Sequence, residues 1–156
     1  MPVDTHDPTA ALSQLTTEIT DAIRRYRAAE GRSDHALREL IGATIAVHES
    51  HAAALLTEIE AMGGRPEQVG AMMAAVRTAV RAAEDAPPGP PDHPPESELE
   101  EGRPGHSLIV HGERRLVAAY GEAIEAAAGH RGLREILQSQ REVLERRIAA
   151  LGGDRD

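Results

Sequence analysis

Two histidines and a glutamate have the residue types and positions to do chemistry together. His48 and His51 lie three positions apart, so a helix would present both from neighbouring points of one face. At about 100° per residue, His48 falls at the centre of an apolar stripe, and Glu113 falls near the centre of another. Two imidazoles and a carboxylate suffice for one iron, zinc or manganese ion with an open position. His48, His51 and Glu113, with Glu18 on the flank of an earlier stripe, are therefore candidate metal ligands.

The alternative is a polar network that needs no metal. A carboxylate inside an apolar interior costs several kcal/mol unless a cation, a metal or a proton neutralises it. Antiparallel pairing of the helices about each hairpin turn gives the position of every residue along the bundle axis. By this comparison Glu113 lies level with Arg147, and Tyr120 lies level with Gln140. Glu113 then pairs with Arg147, and the histidines donate to that pair or to Glu18. The other members of this predicted buried network are Gln140, Tyr26 and Tyr120.

The composition narrows the fold and the chemistry. The 156 residues include two Tyr but no Phe, Trp or Cys, so Leu, Ile, Val, Met and Ala must build the core. This composition favours closely packed helices over a β-sandwich. The absence of cysteine excludes thiolate catalysis and Cys-ligated metals within this sequence. A net charge of −9 without a basic stripe argues against a nucleic-acid partner.

The sequence also bears on location and partners. No apolar run approaches the roughly 20 residues that span a bilayer, and the early Asp4 and Asp7 do not suit a signal peptide. We expect a soluble, cytoplasmic protein with no membrane partner. Small bundles often pair, so a homodimer is one candidate assembly.

Helical periodicity predicts four long helices and a short crossover helix in one domain, 9–152, after a flexible arm at 1–8. The first helix ends at Gly31, and the second runs from Ser33 or Asp34 to Gly63-Gly64. The crossover helix covers 67–84, and the third and fourth long helices cover about 106–128 and 133–151. Seven of the ten prolines lie in an acidic loop, 86–105, and a short tail occupies 153–156.

These lengths predict an all-α fold with two antiparallel helical hairpins joined by a long connection. That connection holds the crossover helix and the Pro-rich loop, between helices two and three. A bundle connected in this way is the ferritin-like form of the four-helix bundle.

Several short motifs add a family resemblance. They are Asp21-Ala22 before Tyr26, residues 51–55 leading to the Gly-Gly-Arg-Pro-Glu turn at 63–67, Gly112-Glu113 before residues 120–123, and residues 142–151. In these motifs the chain resembles a bacterial family of ferritin-like four-helix-bundle proteins known only as a domain of unknown function. The resemblance implies the ferritin-like fold and little about function. Asp21 belongs to the pattern but faces solvent on the helical wheel, and we have no physical account of it.

Comparison with ferritin-like di-iron proteins implies a degraded metal motif. Those proteins use one Glu from each of two helices and a Glu-x-x-His pair from each of the other two. Here His51 matches a motif histidine, His48 stands where its Glu would be, and Glu113 matches a lone Glu. The fourth helix has Leu144 and Arg147 at the depth of the second pair. The resemblance therefore does not extend to an intact di-iron ferroxidase site or to iron storage.

Three functions follow as hypotheses. The first is a non-catalytic or weakly metal-binding bundle, acting as a stress-related accessory protein, with no catalytic or cofactor-binding residues. The second is a mononuclear non-haem metal oxidoreductase that uses His48, His51 and Glu113 for peroxide or oxygen chemistry. The third is an interaction module that binds an unknown protein through the Pro-rich loop or the crossover helix.

Overall fold

The computed structural model describes residues 8–31, 33–85 and 106–151, which form five helices and no strand. The all-α prediction is confirmed for these residues. Residues 1–7 of the predicted arm, the acidic loop 86–105 and the tail 153–156 lie outside them. The helices are α1 (Pro8–Glu30), α2 (His35–Ala61), α3 (Pro66–Asp85), α4 (His106–Ala126) and α5 (Arg131–Ala150).

Helix α1 packs closely against three other helices, α2, α3 and α4. Its predicted apolar stripe is buried, and so are Thr16 and Thr20, which lie beside that stripe. Their hydroxyls donate to the Leu12 and Thr16 carbonyl oxygens, each over 2.8 Å. Hydrogen bonds within the helix thus satisfy both threonines, so α1 buries a broader face than its apolar residues alone indicate.

The ends of α2 follow from local backbone chemistry. Asp34 caps the start, where its side chain accepts a hydrogen bond from the Leu37 N–H over 2.8 Å. At the other end the Gly63 N–H donates to Glu60 and the Gly64 N–H to Ile59, in the pattern of a Schellman motif. Gly63 has φ +90°, a conformation that a residue with a Cβ adopts only with strain. The two glycines therefore stop α2 and turn the chain toward α3.

Helix α3 lies against α1 and α2. Val76 and Ala79 are buried, while Met72 and Met73 are partly buried against the core. Helix α3 extends the predicted crossover helix, 67–84, by one residue at each end, and at 20 residues it is as long as α5. Within the described ranges, no helix is both long and apolar enough to cross a membrane.

We predict that Gly63→Ala lowers the free energy of unfolding by about 1 kcal/mol, because alanine resists the positive φ. Urea titration would measure this change. Gly70→Ala is the matched control, since Gly70 lies inside α3 with open space around it. That substitution should stabilise by a few tenths of a kcal/mol to about 1 kcal/mol. Equal effects at the two glycines would contradict the assignment of Gly63 to the turn.

Candidate functional site

The centre of the bundle holds a direct contact between His48 on α2 and Glu113 on α4. The His48 Nε2 and Glu113 Oε1 atoms are 2.5 Å apart, and both side chains are 0% exposed. Two lone pairs would repel at this distance, so one proton must lie between the two atoms. The contact supplies Glu113 with the hydrogen-bond partner that its burial requires.

Tyr26 on α1 completes this first cluster. Its hydroxyl donates to the same Glu113 oxygen over 3.1 Å, and its ring stacks on the His48 ring with centroids 6.0 Å apart. Gly112 makes room for the ring, since a Cβ there would lie 3.0 Å from Tyr26 Cζ and would overlap the hydroxyl. One carboxylate therefore ties together three helices, α1, α2 and α4.

Two polar atoms of this cluster make no hydrogen bond to the described residues. His48 Nδ1 and Glu113 Oε2 are buried and have no hydrogen-bond partner among the described residues. A buried polar atom without a partner costs about 1–3 kcal/mol. They are the atoms of the cluster that could still bind a proton, a water molecule or a metal.

A second polar cluster is built around Tyr120 on α4 and Gln140 on α5, both buried. The Tyr120 hydroxyl donates to Gln140 Oε1 over 2.8 Å, and Gln140 Nε2 donates to the His51 carbonyl oxygen over 3.4 Å. The His51 Nδ1 atom lies 3.5 Å from the Tyr120 hydroxyl, at the outer limit of a hydrogen bond. Because the hydroxyl proton goes to Gln140, Tyr120 can only accept from His51.

The predicted pairing of Glu113 with Arg147 is wrong. Arg147 donates from Nη2 to Thr44 Oγ1 over 2.5 Å, and Thr44 donates in turn to the Leu40 carbonyl oxygen. Arg147 is only partly buried, whereas Glu113 lies at the dry centre of the bundle. A guanidinium at the margin avoids most of the desolvation cost that contact with Glu113 would add. His48, already at the centre, takes the place expected for Arg147.

Glu18 lies apart from the histidines. It is partly exposed and accepts a hydrogen bond from Gln14 Nε2, one turn earlier on α1, over 3.1 Å. Across the three described ranges, no three His, Asp or Glu side chains come close enough together to hold a metal ion. The structure therefore brings His48 and Glu113 together, keeps His51 in the second cluster, and leaves Glu18 on the flank of α1.

The buried environment changes the acidity of both tyrosines. Burial raises the pKa of Tyr26, and the nearby Glu113 charge and its hydrogen bond raise it further. Burial, followed by the Glu113 charge, also raises the pKa of Tyr120. Both phenols therefore stay protonated at any physiological pH and serve as hydrogen-bond donors.

His51 differs from His48 because it reaches the surface. It lines an open groove of about 460 Å³ between α2 and α5, together with Gln140 and Glu135. Burial, then the neighbouring His48 and Arg147, lowers its pKa to about 4, although Glu113 opposes the shift. A neutral imidazole at pH 7 keeps one nitrogen lone pair available to a ligand.

Thr44 and Gly112 are site residues that helical periodicity and depth do not predict. Thr44 lies on the same buried face of α2 as Ile41 and His48, and its role as the Arg147 acceptor depends on the distance between α2 and α5. Gly112 carried a signal in the sequence, since a glycine inside a helix directly before a central Glu suggests a close approach.

We predict that His51 makes the free energy of unfolding depend on pH. Its pKa is about 4 in the fold against an ordinary value of 6.5, so unfolding takes up a proton between these values. The His51 contribution to the free energy of unfolding is fully present above pH 6.5 and is lost as the pH falls toward 4. His51→Gln should therefore flatten the pH dependence of unfolding in this window by up to about one proton. Urea titrations from pH 4 to 7.5 would measure the difference.

The matched control is His111→Gln, because His111 lies at an exposed position of α4. It should leave the slope of stability against pH close to that of the unsubstituted chain. A His51→Gln slope that also equals the unsubstituted slope would contradict the assignment of this proton to His51.

We predict that Gly112→Ala destabilises the chain by about 1–3 kcal/mol, because the new methyl group overfills the space beside Tyr26. Tyr26→Phe removes the hydroxyl that the methyl group would meet first. Adding Tyr26→Phe to Gly112→Ala should then cost less than the sum of the two single changes. Chemical denaturation of the four chains measures this coupling, and strict additivity would show that the two residues do not touch.

Comparison with known proteins gives one match. A family model described as a domain of unknown function (DUF2383) matches residues 7–86, which is 80 of the 156 residues. The match includes Tyr26, His48 and His51 and stops before Glu113. No curated protein and no solved structure matches the chain. The chain belongs to the DUF2383 family, whose function is unknown.

Proposed function

We propose that this chain is a non-catalytic, ferritin-like accessory bundle of the bacterial cytoplasm, in which the His48–Glu113–Tyr26 cluster is a structural hydrogen-bond network. The two pairs of packed helices, α1 with α2 and α4 with α5, support a bundle of two hairpins. A link to stress belongs to this proposal as its physiological context. Any metal binding at the cluster is weak.

The contact between His48 and Glu113 carries the proposal. Their 2.5 Å separation, with both side chains 0% exposed, already provides the carboxylate with a strong partner. Tyr26 donates to the same oxygen. A metal at Glu113 Oε1 would have to displace both contacts, and solvent does not reach the cluster to help it exchange.

The local charges also favour a network without metal. Arg147 is near enough for its charge to act on His51 and Tyr26. A divalent ion held by two neutral imidazoles and one carboxylate would leave uncompensated positive charge beside this guanidinium. Such charge is costly in a low-dielectric interior.

A mononuclear metal centre is the second candidate, and one observation favours it. His48 Nδ1 and Glu113 Oε2 are both buried without a partner within the described part of the chain. An imidazole nitrogen and a carboxylate oxygen are donors that iron, zinc and manganese accept. His51, whose pKa responds to both His48 and Glu113, is the candidate third ligand.

We predict that the purified chain contains well under one equivalent of iron, zinc or manganese, and that His48→Ala with His51→Ala leaves this content unchanged. Elemental analysis after preparation with and without oxygen measures the metal content. Titration with Co²⁺ should give no absorption bands of a tetrahedral or five-coordinate ion. One metal per chain that the double substitution removes would overturn the proposal and establish the second candidate.

Stability measurements test the structural role separately. His48→Ala leaves Glu113 buried with only the Tyr26 hydroxyl as a partner, so we expect a loss of about 3–5 kcal/mol. Glu113→Gln should cost less, because the amide oxygen can accept from both the His48 Nε2–H and the Tyr26 hydroxyl, as Glu113 Oε1 does. Glu49→Gln, at an exposed position of α2 next to His48, is the control and should change stability by less than about 0.5 kcal/mol.

A further inference from the structure

The oxidisable sulfur of this chain is confined to methionine. The sequence has no cysteine and four methionines, Met1, Met62, Met72 and Met73. Met1 lies outside the described residues, and Met62 follows the last turn of α2. Met72 and Met73 are consecutive on α3, and both are partly buried against the core.

Met72 differs from Met73 in its access to solvent along α1. Met72 lines an open crevice of about 510 Å³ between α1 and α3, beside Ser13, Thr17 and Gln68. It also lines a smaller crevice of about 90 Å³, beside Thr16 and Thr20. Met73 lines neither crevice. The Met72 side chain therefore borders solvent at both crevices, where a small oxidant can meet it.

We propose that Met72 is a site of oxidation by hydrogen peroxide and that its sulfoxide loosens α3 from α1. In this step the thioether sulfur attacks one peroxide oxygen, the O–O bond breaks and an S–O bond forms. Sulfur loses two electrons, and the second peroxide oxygen leaves as water after taking up the proton. The products are methionine sulfoxide and water, and no further reactant is needed.

The threonines beside Met72 on α1 cannot donate to a sulfoxide without giving up hydrogen bonds that they already make. A sulfoxide oxygen is a hydrogen-bond acceptor, yet the nearby threonine hydroxyls already donate within α1. Thr16 donates to Leu12, Thr17 to Ser13 and Thr20 to Thr16, each to the carbonyl oxygen. The donors that remain, such as the Ser13 hydroxyl and the Gln68 amide, line the open crevice of about 510 Å³. The polar group therefore gains its hydrogen bonds there and from water, which draws the side chain out of the contact between the helices.

The other contacts of α3 determine which end of the helix separates first from α1. Only Val76 and Ala79 are fully buried among its residues with described side chains. Near its far end, Arg27 Nε of α1 donates to the Val80 carbonyl oxygen over 2.7 Å. This hydrogen bond holds the C-terminal half of α3 on α1, so oxidation of Met72 should free the N-terminal half first.

The test treats the full chain with hydrogen peroxide and follows each methionine by fragmentation mass spectrometry. Met72 should form sulfoxide at least severalfold faster than its neighbour Met73. Hydrogen exchange should then speed up by about tenfold in the first half of α3, which corresponds to about 1.4 kcal/mol of local stability. Exchange in α4 and α5 should stay unchanged.

Substitutions separate oxidation from a general loss of folding. Met72→Leu keeps an apolar side chain of similar size and should remove the effect of peroxide on α3, whereas Met73→Leu should leave it intact. Met72→Gln should reproduce the faster exchange without peroxide. Incubation with a methionine sulfoxide reductase should restore the slow exchange.

Two results would overturn the proposal. One is oxidation of Met73 as fast as Met72, which would show that the crevices confer no access. The other is Met72 sulfoxide with unchanged exchange in α3, which would show that the contact tolerates the polar group. Neither result depends on the metal content or on the role of the His48 cluster.

Discussion

The need to neutralise one buried carboxylate organises the interior of this bundle. Glu113 is fully enclosed by helices whose other inward residues are mostly aliphatic. A charge in such surroundings is tolerated only with hydrogen bonds that replace those of water. His48 and Tyr26 supply these bonds from two other helices, so the carboxylate fixes the rotation and depth of three helices at once. An aliphatic core alone would tolerate sliding of one helix along another more readily.

The position of α1 explains how a chain with so few aromatic residues can fill its core. Because α1 contacts three other helices, small and β-branched side chains suffice at most of its buried positions. Both tyrosines lie in the middle of the bundle, where each also carries a hydroxyl to a polar acceptor. The aromatic content is thus concentrated where a large side chain and a hydrogen-bond donor are needed together.

Local pattern was enough to predict the helices and the central position of His48 and Glu113. The spacing of apolar residues decides which face turns inward, and the Gly63-Gly64 pair stops α2 by backbone conformation. The partner of Glu113 was not predictable in the same way. Depth matching suggested Arg147, but desolvation favours the imidazole that is already central and leaves the guanidinium at the margin with Thr44. The burial of Thr16 and Thr20 also depends on tertiary contacts, because α1 has neighbours on more than one side.

The contacts of Glu113 also constrain the order of folding. Its hydrogen bonds join residues 65 and 87 positions apart in the chain, so they close long loops and form only after distant helices have met. The helices α1, α2 and α3 follow one another in the chain and contact each other, so they can associate earlier across shorter loops. Before α4 packs against these helices, Tyr26 and His48 would still be hydrated. Arrival of α4 would then dehydrate all three polar groups in one step, which makes the docking of α4 the event that separates a loose helical assembly from the final, uniquely packed core.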